Sequence, residues 1–210
     1  MKMIKRIKEW LPYDRTMLLF PVIHCIIYET LIRVSLTGTW REFYCALDEK
    51  LPLVKWFMIP YVFWFIFIGG TAWYLYKTDR TGLRRYVKCL LISVIPVYIV
   101  FLVFPTCLPL RPDRMEGGGI FALMFNFMYT VDEPHDIFPS LHVIWAAVTA
   151  IALTKDKRFS AKGWKAAIWI ITLLISASTF MIKQHSVLDT PGAIPFVLLA
   201  WYLTYTNGCA

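Results

Sequence analysis

His185 and Asp189 stand four residues apart in Ser178-Thr-Phe-Met-Ile-Lys-Gln-His-Ser-Val-Leu-Asp189, a stretch that sets charged groups beside strongly apolar sequence. Such groups are costly there and need a reason. A helical backbone would put both on one face, so that the carboxylate takes a hydrogen bond from one ring nitrogen and leaves the other free. An imidazole held in that way is an oriented base or nucleophile. Lys183, two residues before the histidine, would draw an anion to the same place. The plainer alternative is a structural His-Asp pair with Lys183 reaching to a membrane surface.

A second cluster is Asp132-Glu-Pro-His-Asp-Ile-Phe-Pro-Ser-Leu-His142, at whose end an apolar helix begins. Pro139 suits the first turn of that helix, where a missing N–H costs nothing, and the amides of Ser140 and Leu141 would then point outward with the helix dipole behind them. That is an anion site, to which Ser140 adds a hydroxyl and His142 a proton. An ordinary capped helix start is the simpler account. Asp132, Glu133, His135 and Asp136 could gather a divalent cation, but acidic caps near a helix start are the commoner reason for such residues. A third group, Arg111, Asp113, Arg114 and Glu116, lies among Pro105, Pro109, Pro112 and Gly117 to Gly119. A connection of this kind cannot lie unprotected in lipid, so it belongs at an interface or over a cavity.

The elements that position these groups are membrane helices. The 210 residues are 58% hydrophobic and 17% aromatic, with mean hydropathy +0.56, too apolar for a soluble domain. Apolar runs near 17–36, 55–76, 86–104, 139–154, 164–182 and 187–206 predict an all-α, single-domain bundle of six transmembrane helices. The fourth is the shortest, and Ile120 to Thr130 reads as a re-entrant or interfacial helix. The aromatic-rich second run suits interfacial belts, and Gly69 and Gly70 allow a close helix contact or a kink there. His24 is expected to hydrogen-bond between helices, and Glu29 with Arg33 to form an ion pair. The loop from Gly38 to Pro52 is mixed in charge and carries no signal.

The formal charge of +8 does not point to nucleic acid, because of where the charges fall. Lys2 to Arg15, Lys77 to Lys88 and Lys155 to Lys165 are alternate connections. The positive-inside rule puts them and both termini in the cytoplasm, and the loops around Arg41, Arg111 and Lys183 outside. The basic segments would then meet anionic lipids, with residues 1–14 lying on the inner leaflet. The first apolar run carries His24, Glu29 and Arg33 and no small-residue cleavage pattern, so a retained helix is expected. The five cysteines show no metal-ligand spacing, and a disulfide between Cys45 and Cys107 is not expected.

Arg111-Pro112, Pro139-Ser-Leu-His142 and Ser178 through His185 to Asp189 resemble, in order, the three signature motifs of the type-2 phosphatidic acid phosphatase superfamily. The resemblance covers residues 105–192. Phe-Pro-Ser-Leu-His, and Lys-Gln-His followed by Asp, are most similar to the branch that includes inositol phosphorylceramide synthase and many bacterial membrane proteins. It implies a six-helix bundle in a bacterial plasma membrane with an outward-facing site. It also implies His185 as the nucleophile that becomes phosphohistidine, Asp189 as its orienter and His142 as the acid for the leaving oxygen. Arg111, Ser140, Lys183 and local amides such as that of Leu141 would hold the phosphate, with no metal or cofactor. Three positions depart from the family's pattern. Phe104 stands where a lysine is usual, Leu141 where glycine is usual and Thr179 where arginine is usual; Lys183 and Arg114 are the cations left to stand in.

The reading that follows is a metal-independent membrane phosphatase acting on a lipid monophosphate or diphosphate. Its alternatives are a phospholipid headgroup transferase and a catalytically silent lipid-binding or transport protein.

Overall fold

The computed structural model describes residues 17–35 and 39–206, with the side chains of 32–35 outside the described set. The segment 1–14, the Arg33 side chain and Cys209 therefore lie outside the described residues. The fold is all-α apart from one short strand pair. Its elements are α1 (Phe20–Ser35), β1 (Arg41–Glu42), α2 (Ala46–Lys50), α3 (Met58–Thr78), α4 (Arg80–Val103), β2 (Thr106–Cys107), α5 (Ile120–Val131), α6 (Leu141–Lys155), α7 (Lys162–Met181) and α8 (Asp189–Trp201).

α6 is the axis of the bundle. It is apolar on every side, and such a helix must be buried on every side. It packs on α3, α4, α7 and α8, with Trp145, Ile144, Val148 and Ala150 sealed from solvent. This explains the short fourth run: α6 lies inside a ring of helices, while its neighbours carry the outer apolar face through residues such as Phe65, Ile66, Ile99 and Leu173. Among the described residues three helical segments are fit by length and composition to cross a membrane, Lys55–Thr78, Arg80–Val103 and Lys162–Met181. The apolar helices Met17–Leu31, Ile120–Val131 and Leu141–Lys155 are shorter, so the six spans read from hydropathy are not all matched by helix length.

Polar side chains within the apolar helices bond to their own backbone. In α7 the hydroxyls of Thr172 and Ser176 donate to carbonyls four residues back, and those of Ser178 and Thr179 to carbonyls three back. His24 meets its expectation as an interhelical partner: it hydrogen-bonds Tyr98 of α4 and lies 4.7 Å from the Trp145 ring. Gly69 and Gly70 do not: both are exposed and no atom lies within 4 Å of where a Cβ would be, so neither marks a close contact.

At one end of the bundle the basic connections come together. Arg158 reaches the Thr78 carbonyl and stacks on Tyr74, and Tyr74 donates to Asp156. The opposite end is built differently. β1 pairs in parallel with β2, joining the loop after α1 to the connection after α4. α5 packs Phe125, Met128 and Tyr129 against Met58, Tyr61 and Ile182 and leaves Ile120, Leu123 and Phe127 exposed, the two-faced pattern of a helix lying against the bundle. The loop before it folds back through a reciprocal pair of hydrogen bonds between Asn126 and the Met115 backbone, and turns at Gly117 and Gly119, both at positive φ.

Candidate active site

The chain leaves α7 at Met181 and enters α8 at Asp189, so His185 and Asp189 are not on one helix face as a helical reading of the stretch required. A turn replaces the helix. Lys183 adopts φ 60°, and the Thr179 carbonyl accepts from the amides of both Gln184 (2.9 Å) and His185 (3.1 Å). The expected pair nevertheless forms across that turn. His185 Nδ1 lies 2.9 Å from Asp189 Oδ2 and 3.0 Å from the Ile137 carbonyl. A carbonyl can only accept, so the ring proton belongs on Nδ1 and Nε2 is left with its lone pair. Asp189 is fully buried, and its Oδ2 also takes the Ser186 amide at 3.0 Å.

His185 Nε2 faces His142 Nδ1 at 3.4 Å. His142 is set in the first turn of α6, with the Tyr61 and Trp64 rings 4.8 and 4.6 Å from its own and its carbonyl accepting from Trp64 Nε1 at 3.0 Å. The His142 ring thus stands beside the very nitrogen of His185 that would attack. Both histidines line a mostly apolar cavity of about 170 Å³ shared with Leu141, Asp132, Asp136, Trp64 and Tyr28, and bordered by the exposed residues Cys25, Glu29, Phe65 and Val131.

Arg111 donates to the carbonyls of Asp132 and Tyr129 and to Gln184 Oε1 at 3.0 Å, and lies over the Tyr129 ring. These partners are all neutral. Burial lowers its pKa from the usual value, but an arginine keeps its charge. Arg111 therefore holds a cation next to the residue that precedes His185.

Several expected details differ. Pro139 is not in the first helical turn: Ser140 is the N-cap, its hydroxyl accepting from the Val143 amide at 3.4 Å. The Ser140 amide is not free either, since it donates to the Asp189 carbonyl, which leaves Leu141 and His142 as the open amides of the turn. Lys183 turns its amine to the Asp48 carbonyl, is only 8% exposed and is not among the cavity residues. Arg114 is exposed in its loop. Phe104 lies beneath the Arg41 guanidinium, 4.7 Å from the ring centroid. The acidic cluster does not cap α6. Asp132 accepts from Tyr61 at 2.7 Å, and Glu133 pairs with His135 at 3.1 Å near the surface.

Sequence reasoning passed over Gln184, the Ile137 carbonyl and Asp48. Only Gln184 carried a signal, as a polar residue beside the histidine. Phe138 and Gly192 form another contact that sequence did not show: a Cβ at 192 would collide with the Phe138 ring. Gly192→Ala should cost about 1–3 kcal/mol by forcing that ring and α8 apart. The check is a lower thermal midpoint in detergent than for Gly163→Ala, where nothing lies within 4 Å.

A family model described as the PAP2 superfamily, that of the type-2 phosphatidic acid phosphatases, matches residues 32–203. No curated protein and no solved structure matches the chain.

Proposed function

The chain belongs to the PAP2 superfamily, a family of membrane proteins with phosphatase-type chemistry, and from that premise we propose that it is a lipid phosphate phosphatase working through a phosphohistidine on His185. The observation that carries this reading is the double hold on His185 Nδ1 by Asp189 and Ile137, which leaves Nε2 bare and facing His142.

His185 Nε2 attacks phosphorus and forms a P–N bond as the bond to the leaving oxygen breaks. That oxygen is the lipid alkoxide of a monophosphate or the lipid-bound phosphate oxygen of a diphosphate. Asp189 balances the charge that appears on the ring. His142, acting as the imidazolium, protonates the leaving oxygen and is left neutral, then takes a proton from the water that attacks the phosphohistidine and releases inorganic phosphate, which restores His185. Arg111, the Ser140 hydroxyl and the open amides of Leu141 and His142 hold the equatorial oxygens, where charge gathers during transfer. Lys183, bonded to Asp48, serves the loop instead of the phosphate. The apolar cavity suits a substrate whose chain stays in the bilayer while its head reaches the histidines. Six membrane passes, cytoplasmic termini beside anionic lipid and an extracytoplasmic site complete the reading, and the gathering of basic turns at the end away from His185 supports that orientation.

The same apolar lining favours a second reading, in which a lipid or polyol hydroxyl replaces water and the enzyme transfers a headgroup as the inositol phosphorylceramide synthase branch does. Purified protein in detergent with EDTA is expected to release phosphate from at least one member of a panel of phosphatidate, phosphatidylglycerol phosphate and polyprenyl diphosphates. Release from none, with turnover appearing only when an alcohol acceptor and a phospholipid donor are added, would replace hydrolysis by transfer.

A further inference from the structure

Asp48 lies in α2, 138 residues from its partner Ser186, yet it is only 3% exposed and makes the densest set of polar contacts near the site. Its Oδ2 accepts from the Ser186 hydroxyl at 2.6 Å and from the Cys45 amide at 2.9 Å, and its Oδ1 from the Val187 amide at 2.8 Å. Its carbonyl takes the Lys183 amine. Ser186 in turn accepts from the Leu188 amide at 3.1 Å. Asp48 thus grips residues on both sides of His185, while Nδ1 of the nucleophile's own ring is held by Asp189 and Ile137.

Burial alone would raise the Asp48 carboxyl, but the hydrogen bonds from Ser186, Val187 and Cys45 outweigh it and hold the group below the usual carboxylate range. The side chain is therefore a carboxylate at neutral pH, and each of these bonds is charge-assisted. The turn they fix is one that its own backbone does not favour, since Lys183 occupies the left-handed region without being glycine. No helix or sheet ladder spans Ile182 to Leu188, so the position of His185 depends on contacts from outside the turn.

We propose that Asp48 is a positioning residue for phosphoryl transfer: through Ser186, Val187 and Lys183 it clamps the turn that presents His185 to the substrate phosphorus. This rests on the assignment of His185 as nucleophile. Asp48 touches neither substrate nor the reacting atoms, and its effect passes wholly through the placement of His185. A displacement of about 1 Å at a reacting group costs on the order of 10²-fold in rate. Because the lipid is held elsewhere, the loss falls on kcat and not on KM.

The test uses full-length protein in detergent, with dioleoyl phosphatidate and farnesyl diphosphate as substrates, and 15N-histidine labelling to read the His185 tautomer. Four histidines make the spectrum assignable, with His185→Asn locating the relevant pair of signals. Wild type should show one tautomer, protonated at Nδ1. Asp48→Ala should lose about 10²-fold in kcat with KM within threefold, and its His185 signals should average between tautomers. Asp48→Asn, which can still accept from Val187 and donate to Ser186 but loses the bond from the Cys45 amide, should recover to within about tenfold of wild type. Glu49→Ala, on the exposed face of the same helix, should match wild type. If Asp48→Ala does not fold, Ser186→Ala carries the test with an expected drop of about tenfold in kcat. Unchanged kcat and an unchanged tautomer in Asp48→Ala, or in Ser186→Ala where it replaces it, would overturn the proposal. Should wild type hydrolyse neither lipid, the phosphatase reading fails on its own, and the tautomer spectra still decide whether Asp48 positions His185.

Discussion

Replacing His185 with alanine should abolish phosphate release, a loss of at least about 10⁴-fold, and with it any acid-labile phosphoenzyme formed from radiolabelled substrate. The size follows from the division of labour in the site. In the proposed mechanism Arg111 and the first-turn amides of α6 would bind phosphate oxygens in ground state and transition state alike, whereas the P–N bond would be made only from the His185 Nε2 lone pair. His142 cannot replace it, because its ring has no carboxylate partner among the described residues to orient it and to balance the charge of a phosphohistidine. The protein should remain folded, since the ring is at the end of a turn whose backbone is held by Thr179 and Asp48. A variant that still turned over at a tenth of the wild-type rate would end the nucleophile assignment.

Asp189→Asn should slow the chemical step by about 10²- to 10⁴-fold with little change in the thermal midpoint. The shape of the buried group is kept, so packing of α8 survives, although turning the amide NH2 to the place of Oδ2 gives up the Ser186 amide bond, since Oδ2 takes both that amide and His185 Nδ1. What changes is the imidazole. The negative charge that stabilises a cationic ring is gone, and an amide NH2 turned toward Nδ1 favours the tautomer with its proton on Nε2, which cannot attack. The Ile137 carbonyl opposes that flip, because it needs the Nδ1 proton at 3.0 Å. For that reason the loss is placed below that of removing the nucleophile. Single-turnover rates for phosphoenzyme formation check this directly, and an Asn variant with wild-type rates would show that Asp189 is structural alone.

His185, Asp189 and His142 were legible because a charged or titratable group in apolar surroundings is costly, and the cost singles them out without any knowledge of the fold. Their partners were not. Asp48 sits in a loop of mixed charge that looks like any solvated connection, and nothing local distinguishes it from Glu49 beside it. Only the docking of α2 onto the turn after α7 buries the one and exposes the other. Lys183 misled for the converse reason. Its charge and its place near the histidine suggested a phosphate ligand, but a single residue at positive φ swings the side chain toward α2. α6 was legible as an element, while its position was not: its short run looked like a marginal span until the surrounding helices made it the centre.

The sequence by itself determined the membrane setting, the helical class, the near-complete set of apolar segments and the candidate side chains His185, Asp189 and His142 that the structure brings together. These depend on composition and short-range periodicity, which each segment carries within itself. Tertiary structure alone decided which nitrogen of His185 is bare, which cations stand near the phosphate site and what holds the turn in place. Each of these is settled by groups brought together from distant parts of the chain: Ile137 and His142 from the loop and helix before, Asp48 from α2 and Arg111 from the connection before α5. Hydrogen-bond direction and distance exist only once those segments have met, so no local pattern can encode them.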